Sequence, residues 1–491
     1  MRWAPFGHVV SHWRWGACAV GAALVPLAAL AALAAGCGAA VEPERAEGAP
    51  RRVFLMTVDT LRADHTSAYG YPRKTSPTLE RLATEGLLFD QAVCQWPKTG
   101  PSFASLFTGQ YPQTTGITHE AAVRIPEGYL TLPELFQTLG YTTVAVVSNA
   151  VLNTGLGWDR GFDEYLETWH VEGGMSADPL VYRKTINAPR VNELALPLLE
   201  RHRDAERLFV WLHYSDPHAP YVLPDGTENP FVGDRWYTQE ETVKLERPQA
   251  QALGERRDLK FYVAQYDANV LVADRGIGEA LERAGELGLL EDALVIYTAD
   301  HGESLGEHDY WFEHGRLPYS PGARVPLVLW GPGRVPAGER VAAPVELVDL
   351  YPTLLDLASP GEEVPGLEGD SLLPFLVDGP EPPEGAFRHA FLEAGGGSPS
   401  THYRAVQDER WKLVYHPAFA DAPVAFELYD LVRDPLETED LKEVRRAEAR
   451  RLREVLFDWM KGADWIRRDH SFVRERSEET LKALRALGYV D

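Results

Sequence analysis

The feature that most constrains the fold is a series of apolar runs separated by stretches with helical periodicity. The apolar runs occupy residues 53–58, 143–147, 208–212, 294–297 and 325–330. Each run is continuous rather than alternating, as expected for strands buried on both faces of a sheet. Helical patterns lie between them, over residues 77–86, 132–139, 191–203, 260–288 and 347–358. The alternation predicts an α/β domain with a mostly parallel sheet flanked by helices.

Polar side chains stand at the ends of four of these runs. Asp59 follows the first run, Asn149 the second, His218 the third, and the pair Asp300 and His301 the fourth. Ligands of such sheets bind outside the carboxyl ends of the strands. We therefore expect these side chains to meet at one edge of the sheet and to form the functional site.

A short segment after the fourth run concentrates groups that bind metals. It contains Asp300, His301 and Glu303, with His308 and His314 further along. Carboxylates and imidazoles are ligands for divalent cations, and a cation is the simplest physical reason to gather them. Taken singly, each of these residues is better explained as a hydrogen-bonded loop residue, so it is the set that favours a metal site.

A second segment, residues 97–109, offers a hydroxyl nucleophile beside a predicted helix start. Gly100 and Pro101 predict a turn, and Ser102 begins a helical pattern. A helix N-terminus presents free N–H groups and the positive end of the helix dipole, which suits an anionic ester. Thr99, just before it, carries a hydroxyl that a bound metal would activate. Viewed alone, Thr99 and Ser102 are equally compatible with simple helix caps.

Taken together and in their order, these motifs resemble the sulfatase family of the alkaline-phosphatase-like superfamily. The resemblance runs from Val53 to about Leu441. Its motifs are VFLMTVDTLRADHTSAYGY (53–71), TGPSFASLFTGQYP (99–112), SDPHAPY (215–221), YTADHGESLGEHDYWFEHG (297–315), RVPLVLWGPG (324–333), RWKLVYH (410–416) and FELYDLVRDPLET (426–438). It implies an alkaline-phosphatase-like α/β fold, a small C-terminal α+β subdomain, and hydrolysis of sulfuric or phosphoric esters.

The resemblance implies a metal centre with a nucleophile beside it. Asp59, Asp300 and His301 align with metal ligands, and Thr99 aligns with the nucleophile, whose oxygen also contacts the metal. The expected cofactor is therefore a divalent metal ion. One histidine with carboxylates suits Ca, Mg, Mn or Zn, and the spacing does not choose between them.

The resemblance also implies a substrate pocket with two more histidines. His218 aligns with a histidine that contacts the substrate or leaving group, and His314 aligns with a lysine that binds the anionic ester in many sulfatases. Lys98 is adjacent to the nucleophile, and from that position alone we expect it to help neutralise the anion. The expected partner is an anionic ester, and its organic part (a glycan, a lipid headgroup or a small molecule) is open.

The chain departs from the family at the nucleophile. Sulfatases usually present Cys-x-Pro-Ser-Arg or its serine version, and the cysteine or serine is oxidised to formylglycine. Residues 99–103 here read Thr-Gly-Pro-Ser-Phe. Threonine would give a ketone rather than an aldehyde, so we expect no such maturation. Thr60 also replaces the second residue of a common Asp-Asp pair, and Cys94 lacks the motif's proline and arginine and is expected to be a small core residue.

The threonine instead resembles that of superfamily members such as phosphoethanolamine transferases and lipoteichoic acid synthases, which act on phosphodiesters. The sequence therefore predicts a metal-dependent hydrolase that acts through Thr99, with sulfate and phosphate esters both open. Two alternatives remain. One is a transferase that passes a phospho-substituent to a lipid or glycan, and the other is a non-catalytic protein that binds the ester without turnover.

The N-terminus has the pattern of an export signal. Two arginines precede an apolar run over residues 16–40, and this part of the chain has no acidic residue. The run includes Leu-Ala-Ala-Gly-Cys ending at Cys37, which resembles the bacterial lipoprotein box except that alanine stands three residues before the cysteine. We expect a signal peptide over 1–36, lipidation of Cys37, and a location in the bacterial cell envelope, anchored to the membrane by the lipid. An uncleaved membrane anchor and simple secretion are the alternatives.

Composition shifts predict the domain boundaries. We expect a flexible tether over 37–52, a catalytic domain over 53–358, a linker rich in proline and glycine over 359–386, and a C-terminal subdomain over 387–491. Short alternating runs in the subdomain predict an antiparallel sheet, followed by helices near 445–461 and 477–487. Residues 222–258 lack periodicity and are predicted to pass over the site; whether they form a lid is open.

Charge argues against one class of partner. The chain has 48 lysines and arginines against 73 aspartates and glutamates, a formal net charge of −25. Such a surface repels phosphate backbones, so we expect no nucleic-acid partner.

Overall fold

A sheet of eight strands lies at the centre of the structure, which is a computed structural model. The structure describes residues 48–118, 124–170, 182–237, 253, 256–377, 379–383, 385–396, 402–418 and 423–462. The strands of these residues are β1 (Arg52–Val58), β2 (Leu87–Val93), β3 (Thr142–Val147), β4 (Glu164–Glu167), β5 (Leu208–Tyr214), β6 (Ala293–Ala299), β7 (Ser304–Leu305), β8 (Trp311–Glu313), β9 (Arg324–Trp330), β10 (Glu339–Glu346), β11 (Ala390–Ala394), β12 (Tyr403–Gln407), β13 (Trp411–His416) and β14 (Ala425–Asp430).

The large sheet is mostly parallel, as predicted. Its strand order is β10-β2-β9-β6-β1-β5-β3-β4. Strand β1 pairs in parallel with both β5 and β6, whereas β9 runs antiparallel to β6 and β2. Every residue of β5 and β6 is buried. Removing such apolar strands from water on both faces is the main stabilising contribution, worth about 1.5–3 kcal/mol for each large side chain.

Helices flank this sheet, except for the last one, which packs on the C-terminal sheet. They are α1 (Pro77–Glu85), α2 (Thr99–Thr108), α3 (Pro112–Thr115), α4 (Leu132–Thr138), α5 (Ala188–Arg201), α6 (Leu259–Glu286), α7 (Ser320–Ala323), α8 (Leu350–Ala358), α9 (Leu373–Val377) and α10 (Arg446–Gly462). Local chemistry sets their ends. For example, Thr131 and Glu134 form a capping box at the start of α4. None of the described helices is both long and apolar enough to cross a membrane.

A second sheet lies in the C-terminal part of the chain. Strands β11-β12-β13-β14 form an antiparallel meander, and apolar residues of α10, including Leu452 and Leu456, pack on it. Strand β11 also joins this sheet to the main domain, because Gly395, just beyond its end, donates from its N–H to the carbonyl of Gly315 at 2.9 Å. This confirms the predicted fold class, a mostly parallel sheet flanked by helices with a small C-terminal subdomain.

The sequence patterns did not predict three strands of the large sheet. They are β2, β4 and β10. Strand β2 carries Asp90 and Gln91 in its middle, β4 is short and mostly polar at the sheet edge, and the first half of β10 is largely exposed. Strands β4 and β10 are the two edges of the sheet and need apolar residues on fewer faces, so they lack the continuous run that marked the central strands. Strand β2 lies inside the sheet, and its apolar run is interrupted by Asp90 and Gln91.

Several predicted boundaries fall at or beyond the described residues. The signal peptide over 1–36, with Cys37, and the helix near 477–487 lie outside them. The end of the predicted tether does not extend freely, because Ala49 and Pro50 are buried and Arg52 begins β1. The predicted linker over 359–386 contains α9, whose Phe375 lies in the main hydrophobic core.

The described part of the segment predicted to pass over the site packs on α6. Phe231 lies in a small cluster with Ala264 and Leu271 of that helix. Asp234 in the same segment forms a bidentate ion pair with Arg73, with distances of 2.9 Å from Nε to Oδ2 and 3.0 Å from Nη2 to Oδ1. Residues 222–237 are thus fastened to the body of the domain, and residues 238–252 lie outside the description.

Candidate active site

The strand register brings the predicted site residues to one edge of the large sheet. Val58 at the end of β1 is opposite Tyr214 of β5 and Ala299 of β6, so the residues that follow these strands meet. Asp59 donates from its N–H to the carbonyl of Tyr214 at 2.8 Å. The backbone N–H of Thr60 donates to Asp300 Oδ1 at 3.3 Å, which joins positions 240 residues apart in the chain.

Asp59, Asp300 and His301 form a compact group of potential metal ligands. One ligand atom from each lies within 4.8 Å of the others, and the three side chains are buried. His301 Nε2 lies 3.6 Å from Asp59 Oδ1 and 3.5 Å from Asp300 Oδ2. Within the described part of the chain, this is the group of three or more such side chains with a geometry that could hold a metal ion.

The protein holds one oxygen of each carboxylate and leaves the other unpaired. Asp59 Oδ2 accepts from Asn149 Nδ2 at 2.6 Å, and Asp300 Oδ1 accepts from the N–H of His301 at 2.8 Å. Asp59 Oδ1 and Asp300 Oδ2 are buried and have no hydrogen-bond partner among the described residues. Leaving such atoms unsatisfied in the interior is costly, so this donor set fits a divalent cation.

A hydrogen bond fixes the form of His301. Its Nδ1 lies 2.8 Å from the carbonyl of Gly302, which can only accept, so Nδ1 carries the proton. The lone pair of Nε2 then faces the two unpaired carboxylate oxygens, as a metal ligand requires.

Thr99 lies directly beside this group. Its Oγ1 is 3.3 Å from His301 Nε2 and 3.5 Å from Asn149 Nδ2. Helix α2 begins at Thr99, three residues earlier than predicted, and Lys98 rather than Thr99 or Ser102 is the residue before its first turn. Ser102 Oγ donates to the carbonyl of Asp300 at 2.6 Å and so fastens the helix to the end of β6. The Thr99 hydroxyl therefore stands at a buried helix N-terminus, where the dipole favours an anion.

Two further histidines border the same space. The ring centroid of His314 is 4.4 Å from that of His301 and 5.2 Å from that of His218. His218 Nδ1 donates to the carbonyl of Ala219 at 2.6 Å, because a carbonyl can only accept. The structure thus brings together Asp59, Thr99, His218, Asp300, His301 and His314, whereas for Lys98 it shows only that the side-chain stem lies near Gly315, the neighbour of His314.

Glu303 orients His314. One of its oxygens lies 2.9 Å from His314 Nδ1, and the other accepts from Tyr221 Oη at 3.0 Å. Burial raises the pKa of the Glu303 carboxyl. The carboxylate of Glu303 therefore fixes the orientation of the His314 ring through its Nδ1.

The electrostatics of the site reflect burial. Burial lowers the pKa of His301 to about 3. Burial and the charge of Asp59 raise the pKa of Asp300 well above its ordinary value. Burial alone would raise the pKa of Asp59 as well, but the histidines around it, His218 first, lower it. One carboxylate is therefore ionised more readily than the other, and a cation would favour ionisation of both.

Three residues considered from the sequence contribute no side chain to the ligand group. Thr60 turns its hydroxyl back to the carbonyl of Asp59 at 2.7 Å and contributes only its N–H. His308 stacks on Tyr319 with ring centroids 3.5 Å apart, and its Nε2 contacts a carbonyl of the C-terminal part. Cys94 is buried, and burial raises its thiol pKa, which makes it an inert core residue, as expected.

Sequence reasoning missed His213 and Tyr266 as site residues. His213 is the sixth residue of β5 and lies with its Nε2 3.9 Å from Asp59 Oδ2. Tyr266 Oη, on α6, donates to the carbonyl of Thr60 at 2.7 Å and accepts from the N–H of Arg62 at 3.0 Å, which fixes the turn after Asp59. A histidine within an otherwise apolar strand was the available signal for the first, and nothing in the sequence marked the second.

Comparisons with known proteins agree with this fold. The sulfatase family profile matches residues 51–360, and the profile described as N-sulphoglucosamine sulphohydrolase, C-terminal, matches residues 306–460. An N-acetylglucosamine-6-O-sulfatase of Bacteroides thetaiotaomicron is 26% identical over 85% of this chain and 86% of its own. A choline-sulfatase of Rhizobium meliloti is 27% identical over 79% of this chain and 82% of its own.

Solved structures are similar in fold. A phosphonate monoester hydrolase of Agrobacterium radiobacter superposes with a TM-score of 0.65 at 21% identity, over 84% of this chain and 96% of its own. A protein solved in complex with its substrate D-glucosamine-2-N,6-O-disulfate superposes with a TM-score of 0.67 at 20% identity, over 86% of this chain and 100% of its own. The fold and the family match define an α/β hydrolase of anionic esters. The chain belongs to the sulfatase family.

Proposed function

We propose that this protein hydrolyses phosphorus esters with the Thr99 hydroxyl as nucleophile and a divalent cation held by Asp59, Asp300 and His301. The observation that carries the proposal is the position of Thr99 Oγ1. It is buried at the N-terminus of α2, 3.3 Å from the unprotonated nitrogen of His301, beside two carboxylate oxygens that have no hydrogen-bond partner in the part of the chain that the structure describes.

The surroundings of Thr99 support the use of an unmodified hydroxyl. Phe103 stands where the family's maturation motif has arginine, and its ring centroid lies 5.0 Å from that of Trp211 and 5.2 Å from that of His213. Phe103 is thus part of the core. An arginine at this position would bury a charge among aromatic rings, so the local packing fits phenylalanine and not the maturation motif.

The side chains present can carry out the two half-reactions. A bound cation would lower the pKa of the Thr99 hydroxyl and neutralise charge on the ester. As the proton of its hydroxyl passes to solvent, Thr99 Oγ1 forms a bond to phosphorus while the bond to the leaving alcohol breaks, and His218 donates a proton from Nε2 to that alcohol. Water then attacks the threonine phosphate, with His218 accepting one of its protons. The bond from phosphorus to Thr99 breaks, the phosphorus acid is released, and the Thr99 oxygen takes a proton back from solvent. His314, oriented by Glu303, and Lys98 bind the anionic oxygens.

Phosphorus is favoured over sulfur by the fate of the intermediate. A formylglycine hydrate can expel sulfate by re-forming its carbonyl, but a sulfated threonine has no such route and must be hydrolysed directly. An alkoxide, by contrast, suits phosphoryl transfer, which depends on positioning and charge neutralisation. Sulfate ester hydrolysis is the second candidate, and the names of the relatives support it.

The test is a panel of chromogenic esters with the purified protein. A sulfate monoester, a phosphate monoester, a phosphodiester and a phosphonate monoester are each assayed with Ca²⁺, Mg²⁺, Mn²⁺ and Zn²⁺. We expect turnover of a phosphorus ester that needs the cation and falls at least about 10³-fold in Thr99→Ala. Thr99→Ser, which keeps a hydroxyl, should retain part of the activity.

A matched control comes from the other end of the same helix. Thr108 is also buried, and its Oγ1 donates to the carbonyl of Ala104 at 2.6 Å, away from the site. Thr108→Ala should leave turnover nearly unchanged. Turnover of the sulfate ester alone would contradict the proposal and establish the second candidate. Release of the product onto an added alcohol, rather than onto water, would instead indicate the transferase alternative.

We also propose that the protein is a lipoprotein of the bacterial cell envelope. The charged start, the apolar run over residues 16–40 and the small residues before Cys37 support this. Metabolic labelling with a fatty acid should label the wild type and not Cys37→Ser. A labelled Cys37→Ser variant would contradict lipidation at this residue.

A further inference from the structure

His213 is a buried polar residue to which the proposed reaction assigns no role. It lies in β5 with no exposed surface, and its Nε2 has no hydrogen-bond partner among the described residues. That nitrogen is 3.9 Å from Asp59 Oδ2, on the side of the carboxylate that also accepts from Asn149. An unsatisfied buried nitrogen aimed at a carboxylate calls for an explanation.

The other ring nitrogen indicates which form His213 takes. His213 Nδ1 lies 3.1 Å from Thr57 Oγ1, and the same hydroxyl accepts from Trp211 Nε1 at 2.9 Å. The hydroxyl proton of Thr57 can point to Nδ1 or to the carbonyl of Leu212, which is farther away at 3.4 Å. The shorter contact favours donation to His213 Nδ1. The ring proton then resides on Nε2 and faces Asp59.

We propose that His213 is a positioning residue for the cation site, which orients Asp59 through its Nε2–H. Together with Asn149 it attracts Oδ2 and thereby leaves Oδ1 facing Asp300 and His301. The present separation is longer than a hydrogen bond, and a movement of about 1 Å would close it. Partners of metal ligands commonly act in this way, by fixing the orientation of the ligand and raising its basicity.

The surroundings of the ring fit this role. Phe103 contacts it edge-to-face at 5.2 Å, and Trp211 of the same strand lies 6.1 Å away between centroids. The contacts with Thr57 and Phe103 therefore give the buried ring one orientation and one direction of donation. The inference rests on the cation site of the proposed function and not on the identity of the ester.

The test measures metal binding rather than turnover. Full-length protein stripped with a chelator is titrated calorimetrically with Mn²⁺. His213→Leu, which removes the donor at similar volume, should weaken Mn²⁺ binding by about 10–100-fold. His213→Gln, whose amide N–H can occupy the place of Nε2–H, should retain most of the affinity. Thr57→Val, which removes the hydroxyl that sets the ring proton, should weaken binding by less than the leucine variant.

The controls separate this role from a structural one. His202 is a partly exposed histidine paired with Glu164 on the surface, and His202→Gln should bind Mn²⁺ as the wild type does. Thermal unfolding of each metal-free variant shows whether it folds. If His213→Leu does not fold, the Mn²⁺ affinity of Thr57→Val is the test. Equal Mn²⁺ affinity in wild type and His213→Leu, or in wild type and Thr57→Val, would overturn the inference alone. Absence of Mn²⁺ binding in the wild type would overturn the cation site of the proposed function as well.

Discussion

Two pairs of buried carboxyl groups in this molecule have opposite surroundings. Asp59 and Asp300 at the site each keep one oxygen without a hydrogen-bond donor among the described residues. Glu346 and Asp349, at the end of β10, are equally buried, but their oxygens are satisfied. Glu346 accepts from Gln95 at 3.1 Å and from the Tyr111 hydroxyl at 2.9 and 3.1 Å.

Backbone groups complete the second pair. Asp349 accepts from the N–H of Glu346 and from that of Asp370, both at 2.8 Å. The N–H of Phe391 in β11 donates to Glu346 at 3.1 Å. Burial, and for Glu346 also the neighbouring Asp349, raises the pKa of both groups. Burial of acidic side chains alone therefore does not indicate a metal site. Unpaired carboxylate oxygens beside an imidazole are what indicate one.

The largest expected difference between the pairs is in catalysis. Asp300→Asn should lower kcat/KM on the preferred ester by about 10³-fold, because a bound cation supplies several kcal/mol of transition-state stabilisation. Glu346→Gln should leave kcat/KM nearly unchanged. Steady-state kinetics at saturating Mn²⁺ measures both, and a comparable loss in the two variants would remove the functional distinction between the pairs.

Substitutions in the two pairs should change the free energy of unfolding differently when it is measured without metal. Glu346→Ala leaves Gln95, Tyr111 and Phe391 without their acceptor and should reduce the free energy of unfolding by about 3 kcal/mol. Asp300→Asn removes a buried group that lacks full compensation and should leave the free energy of unfolding unchanged or raise it. Urea unfolding in the presence of chelator provides the comparison. A strongly destabilised Asp300→Asn would mean that Asp300 is chiefly structural.

An added cation should stabilise the folded protein only through Asp59 and Asp300. At 100 times its Kd, Mn²⁺ should add about 2.7 kcal/mol to the free energy of unfolding of the wild type. Glu346→Gln should gain the same amount, whereas Asp300→Asn should gain little. Unfolding curves with and without Mn²⁺ measure the gain, and a gain in Asp300→Asn equal to that of the wild type would place the cation elsewhere.

The pH dependence of stability should have opposite signs in the two regions. Burial raises the pKa of Asp349 to about 8 from an ordinary value of 3.8. Between these values the folded state binds more protons than the unfolded chain, so this contribution to stability falls as the pH rises, by at most about 1.4 kcal/mol per pH unit. His301, with its pKa lowered from 6.5 to about 3, behaves oppositely and costs stability as the pH falls from 6.5.

Melting temperatures of the metal-free protein across pH 4 to 9 separate these two contributions. Asp349→Asn should remove the fall in stability between about pH 6.5 and 8, where His301 no longer contributes, and should steepen the loss of stability below pH 6.5. His301→Gln should instead let stability fall with rising pH across the whole range from about 4 to 8. A profile that neither substitution alters would show that other groups set the pH dependence.

The sequence predicted which candidate residues would meet at one edge of the sheet more completely than it predicted the strands of that sheet. Asp59, Asp300 and His301 follow continuous apolar strands, so their shared edge could be inferred from strand polarity. Strand β10 could not be found in this way because its first half is exposed. The start of α2 was misplaced because its first turn carries Thr99, Gly100 and Pro101, a combination that equally describes a turn.

Features that depend on contacts between distant segments could not be predicted. The contact of His213 with Asp59 and Thr57, and that of Tyr266 with Thr60, join segments with no shared local pattern. The satisfaction of Glu346 likewise depends on Tyr111 and Phe391 from distant parts of the chain. Sequence patterns report burial, whereas hydrogen-bond partners are decided by packing.

The central position of β1 has a consequence for how the enzyme becomes active. The N–H of Thr60, just beyond its end, pairs with Asp300, which the ribosome adds 240 residues later. At about 5–20 residues per second, roughly 10–50 s of synthesis separate the two halves of the site. Such long-range pairing slows folding because a large loop must close first. Under the proposed function, the growing chain would carry Thr99 from early on and would stay inert until β6 enters the sheet beside β1.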